Sequence, residues 1–213
     1  METNDLIKAL AADATSTRPT PILKVWTLAI LAAVCVAALV FFGILGPRSD
    51  ISQAAQTPRF LFKFVATGVL VAVAFIALRI ISRPDGDGRR AGILFAAPLG
   101  VLAIAVMAEL AAIPASDWKG RLVGTNSILC LTFIPLIGLA PLALFLAGLR
   151  HGAPSSPRLA GAVAGSLAGG IAATFYAAHC IDDSPLFIAV WYTMAIALLS
   201  LAGAIISAKT SRW

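Results

Sequence analysis

Long apolar runs alternate with short polar connectors along nearly the whole chain. The runs lie at roughly 25–46, 60–82, 91–113, 126–149, 159–179 and 185–208. Each holds about 20 residues or more, which at about 1.5 Å per residue crosses a ~30 Å hydrocarbon core. Backbone polar groups in lipid must be satisfied internally, and the runs are far too long for barrel strands, so the pattern predicts helices. The expected fold is an all-α membrane protein, a six-transmembrane-helix bundle over 25–213 preceded by a leader at 1–24. The first run is too long for the apolar core of a signal peptide, and the leader before it is polar.

Composition agrees with a bilayer setting: 60% hydrophobic, 12% charged and a mean hydropathy of +0.93. A net charge of +6 would suggest nucleic acid in a soluble protein, but here the charges flank the spans, and direct nucleic-acid binding is not expected. With the N-terminus inside, the cytoplasmic side receives Lys8, Arg18, Lys24, Arg79, Arg83, Arg89, Arg90, Arg150, Arg158, Lys209 and Arg212. The other side keeps Arg48, Arg59, Lys63, Lys119 and Arg121. Eleven against five predicts that both termini are cytoplasmic.

The leader contains Asp5-Leu6-Ile7-Lys8-Ala9-Leu10, which reads as a short amphipathic helix with Leu6, Ile7, Leu10 and Ala14 on one face and Thr3 or Asn4 as cap. It is too short to be stable alone in water and needs a partner, either the membrane interface or another protein. Ala14–Pro21 reads as a linker, 83–90 and 151–158 as tight inside turns, and 47–59 and 114–125 as outside loops, with Trp118 an interfacial anchor.

Within the spans, Gly161, Gly165 and Gly169 recur every four residues and form a smooth stripe. The stripe suits close packing inside the bundle, or a homo-oligomer seam. Pro98, Pro135 and Pro141 should kink their helices. Glu109 is expected at a wetted outer interface, and Lys63 and Arg79 are expected to snorkel. Ser184 or Asp183 before Pro185 marks the start of the last helix, so 179–185 is a tight outside hairpin. Cys130 and Cys180 fall at similar depth on the oxidising side, with Cys35 mid-membrane. The two outer thiols could pair, or His179, Cys180 and an Asp could hold a metal, though no ligand-spacing motif supports the latter and neither metal nor cofactor is expected. No phosphate loop, nucleophile–base pair or zinc-protease helix occurs, which points away from an enzyme.

Three strings resemble the NrsF-type bacterial membrane proteins, negative regulators of extracytoplasmic-function sigma factors. They are Thr3–Asp13, Cys130 with the following turn Leu149–Pro154, and the run Tyr176–Tyr192 (YAAHCIDDSPLFIAVWY). The resemblance covers almost the whole chain. It implies an anti-sigma factor holding its sigma factor at the inner membrane, with Cys130 and Cys180 at the positions of two cysteines implicated in responding to envelope, redox or metal stress. Single-span anti-sigma factors carry a much longer soluble domain, so the contact here is expected to use the leader, centred on Asp5, Leu6, Ile7, Lys8 and Leu10. The rival readings are a small transporter or channel, for which mid-depth polar groups are few, and a structural membrane partner.

Overall fold

The structure is a computed structural model that describes residues 3–5, 7–8 and 22–210. Among the described residues six helices are long and apolar enough to cross a membrane: Lys24–Ile44, Pro58–Ile81, Gly88–Ala112, Ser127–Leu149, Pro157–Ala177 and Pro185–Thr210. They are numbered first to sixth below. No strand occurs among the described residues. Leu28, Leu39, Phe42, Ile104, Met107 and Leu198 are among many large apolar side chains left exposed around the bundle. Apolar exposure on this scale, on six helices of spanning length, suits a lipid bilayer.

Local chemistry starts several of these helices where the sequence changes character. Thr57 caps the second helix by accepting from the Phe60 amide, with Pro58 in the first turn. The Asp87 carboxylate accepts from the Arg89 and Arg90 amides at the start of the third. Ser184 accepts from the Leu186 amide ahead of the sixth, with Pro185 next. These residues satisfy donors that have no partner within the helix.

The fifth helix is the centre of the bundle. In its apolar window 72% of residues are buried, against 6% in the third, and it packs on the second, fourth and sixth helices. Its stripe of small residues explains this. A Cβ added at Gly161 would strike the Gly203 carbonyl, and one at Gly165 would strike the Leu199 carbonyl and the Ser200 Cα. Gly169 lies against Ile196, so the stripe is spent on the fifth–sixth seam within one chain. A hydroxyl pair, Ser166 to Ser200 at 2.9 Å, lies in the same seam.

The helices depart from regularity in two places. The third is interrupted at Phe95, between Gly88–Leu94 and Ala96–Ala112. Pro98 is the reason, since it cannot donate to the Leu94 carbonyl one turn back. The fourth, by contrast, stays helical from Ser127 to Leu149 although Pro135 and Pro141 cannot donate to the Leu131 and Ile137 carbonyls. The sixth opens with a wide π-helical turn at Ile188–Tyr192, a feature periodicity does not reveal.

The connectors define two ends. At one, which also carries the start of the first helix and the end of the sixth, the Ala153 amide donates to the Ser82 carbonyl at 3.1 Å and joins the two short turns. Gly152 must be small there, because a Cβ would meet the Ser82 oxygen at 2.6 Å. The opposite, looped end carries a short helix Ile51–Ala54 and a second helix Ala115–Val123. The latter replaces the irregular loop expected at 114–125, and Trp118 on it is 40% exposed. In the leader, residues 3–5 and 7–8 are helical, and Asp5, Ile7 and Lys8 are exposed. Leu6 and Leu10 lie outside the described residues.

Candidate functional site

The two thiols predicted at one depth occupy one buried neighbourhood at the looped end. Cys130 sits in the first turn of the fourth helix, its amide donating to the Asn126 carbonyl at 2.8 Å. Cys180 follows the end of the fifth helix, where the His179 and Cys180 amides both return to the Tyr176 carbonyl. Both side chains are 0% exposed and both are free thiols, whereas Cys35 is a free thiol exposed on the outside of the first helix. Tyr176 and Tyr192 close the pocket with ring centroids 5.9 Å apart. Their hydroxyls are buried beside Cys180 without a hydrogen-bond partner of normal geometry. The Cys180 thiol approaches the Asp182 carbonyl at 3.7 Å.

A charged cluster roofs this pocket. Lys63 is fully buried, not snorkelling as its place near a span end predicted. Its ammonium donates to the Cys180 carbonyl at 2.7 Å and pairs with Asp183 at 2.5 Å. A buried charge without such partners would be prohibitively costly, and the pairing is what permits it here. Arg48 reaches the same Asp183 at 3.1 Å and holds Asp50 through two bonds of 2.6 and 2.7 Å. Those bonds lower the pKa of Asp50 and raise that of Arg48 beyond its ordinary value. The Arg48 amide bonds the Ala178 carbonyl, and His179 donates from Nδ1 to the Gly46 carbonyl at 2.9 Å. The first connector is thereby sewn to the 178–184 hairpin. Burial pushes the Cys180 thiol up, with the Lys63 charge pulling the other way.

Glu109 is the second correction. It is 5% exposed, not wetted, because Arg59 (3.0 Å), Arg121 (3.1 Å) and the Ser184 hydroxyl (3.3 Å) all converge on its carboxylate. One residue thus ties the second and third helices, the 115–123 helix and the cap of the sixth. Asp182 completes the roof by accepting from the Thr125 and Asn126 amides at 3.0 and 2.8 Å. Gly124 makes that turn with φ of 59°, a conformation that favours glycine. Across the end, the Trp191 indole donates to the Leu122 carbonyl at 2.8 Å.

Among the described residues no cluster of three or more His, Cys, Asp or Glu has the arrangement of a metal site. The arrangement is a pair of protected thiols under an ion-paired lid, with Arg48, Lys63, Glu109 and Asp183 as the members sequence reasoning did not assign. A signal existed for them. The few cations on the positive-poor side, and the acids that share that side, sit too near the span ends to remain unpaired.

A family model described as negative regulator of sigma F, NrsF, matches residues 10–213. The chain belongs to the NrsF family. The anti-sigma-F factor NrsF of Caulobacter vibrioides is 37% identical over 215 aligned residues, covering all of both chains. The probable anti-sigma-F factor NrsF of Azospira oryzae is 30% identical over 214, again covering all of both. No solved structure matches. The NrsF match takes in all six helices and every residue of the looped-end network, and begins after Asp5, Leu6, Ile7 and Lys8.

Proposed function

We propose that this protein is an inner-membrane anti-sigma factor that binds and sequesters sigma F, a partner of the extracytoplasmic-function type. It is a regulator and not a catalyst. The observation that carries the reading is the full-length similarity to two relatives named as anti-sigma-F factors, on a chain whose apolar surface suits a bilayer.

In this reading both termini are cytoplasmic, and the positive charge concentrated at the terminal end supports it. The sigma contact is the leader, through Asp5, Leu6, Ile7, Lys8 and Leu10. An amphipathic segment that is marginal alone folds on its partner, as expected for a helix laid in a groove. The looped end faces outward and senses envelope, redox or metal stress through Cys130 and Cys180. A change at the thiols alters how the fourth helix packs on the fifth, and the shift passes to the terminal end through the closely packed fifth and sixth helices. The test is affinity capture of the detergent-solubilised full chain from its own cells. Stoichiometric recovery of a sigma factor is expected, and capture without any sigma factor from uninduced cells would overturn the proposal.

A further inference from the structure

The thiols as found are poor sensors. Both are buried, and burial raises the Cys180 pKa, whereas reactive cysteines are partly exposed and lie near an unneutralised cation. A suitable cation is already in place. The Lys63 ammonium is fully buried, bonds the backbone carbonyl of Cys180 itself, and acts electrostatically on its thiol.

Its charge is spoken for. Asp183 takes it at 2.5 Å, and the Phe60 ring lies beside it, with the ammonium 5.4 Å from the centroid. Asp183 is shared with Arg48, which keeps Asp50 as an alternative partner. Asp183 also lies on the short 178–184 connector and is the more exposed member of the pair, its side chain 22% accessible against 0% for Lys63. A displacement confined to 182–184, with Cys180 still held by its amide on the Tyr176 carbonyl and by its own carbonyl on Lys63, withdraws Asp183 and leaves the ammonium beside the thiol.

We propose that Lys63 is the activating cation of the Cys180 thiol and that Asp183 holds it in reserve. Lifting this 182–184 stretch does two things at once. It admits water to the pocket, and it transfers the Lys63 charge from Asp183 to the sulfur, whose proton leaves to that water. Lys63 is thus a positioning and activating residue, and the Asp183–Lys63 pair sets the threshold of the sensor. This rests on reading Cys180 as a sensing thiol.

The experiment uses the full chain in native membranes with Cys35→Ser, and follows alkylation of Cys180 by N-ethylmaleimide against pH, with Cys130 resolved by peptide mass. Asp183→Asn removes the countercharge and keeps the shape. It is expected to raise the alkylation rate at pH 7 by roughly tenfold or more, and to bring the pH midpoint below the ~8.5 of a free cysteine. Adding Lys63→Met to Asp183→Asn should return both rate and midpoint toward those of the parent, and Asp183→Glu should behave as the parent. An Asp183→Asn protein that had merely loosened or misfolded would titrate near ~8.5, which overturns the proposal. So does a double variant as reactive as Asp183→Asn. Derepression of a sigma-dependent reporter is scored separately. Accelerated alkylation with an unchanged reporter would sink the sensor reading and leave the Lys63 assignment standing.

Discussion

Replacing Glu109 by alanine should loosen the looped end more than replacing any single group that binds it. The carboxylate is 5% exposed, while its arginine partners are 43% (Arg59) and 35% (Arg121) exposed. Removing one partner of a fully buried ion pair costs about 3–5 kcal/mol. Here the stranded arginines can turn to water, which returns part of that, while the Ser184 hydroxyl loses an acceptor worth about 1 kcal/mol. The balance is about 2 kcal/mol, or a fall of roughly 4–8 °C in the unfolding midpoint for a chain of this size. Glu109→Gln keeps the volume and the Ser184 bond and should lose about half as much. Arg121→Ala leaves Arg59 in place and should also lose less than Glu109→Ala. Thermal unfolding in detergent, followed by a thiol-reactive dye on a Cys35→Ser background, reads the release of Cys130 and Cys180 directly. Equal losses for Arg121→Ala and Glu109→Ala, or a shift below about 1 °C for Glu109→Ala, would refute the view that the buried carboxylate is the hub.

Gly165→Ala places a methyl group on the backbone of Leu199 and Ser200 and should cost about 1–3 kcal/mol. Gly100→Ala, with nothing within 4 Å, should be neutral or stabilising, and matched unfolding curves that fail to separate the two would remove the seam argument. Reporter fusions after Trp213 and within 83–90 should score as cytoplasmic and fusions within 47–59 as external. An external C-terminus would invert the proposed direction of signalling. Cys130→Ser and Cys180→Ser should each blunt induction by thiol-reactive stress, with the double variant no worse than either single and Cys35→Ser unaffected. Normal induction in both singles would retire the sensor.

The spans were readable because each is a continuous apolar run whose ends are marked by short-range chemistry: Pro58 behind Thr57, Pro157 in the fifth helix's first turn, Pro185 behind Ser184. The glycine stripe was readable for the same reason, since four-residue spacing fixes a face wherever the partner lies. The roof was not. Glu109 finds its partners at 59, 121 and 184, and Lys63 finds its own at 180 and 183. Sequence proximity to a span end therefore suggested water for groups that bury against distant loops. The helix at Ala115–Val123 hid behind two flanking loop signals, Pro114 and Gly124, and the π turn at Ile188–Tyr192 has no compositional mark.

If the leader retains a sigma factor at the membrane, fractionation of cells carrying the full chain will show it. With the parent chain, the sigma factor should sediment with the membranes in uninduced cells. Leu6→Asp or Leu10→Asp would put a charge where an apolar contact forms, which is enough to weaken binding by roughly a hundredfold. The sigma factor should then move to the soluble fraction while the variant chain remains in the membrane. A sigma factor that stays membrane-bound with both variants, or that is soluble with the parent, would rule out retention by the leader.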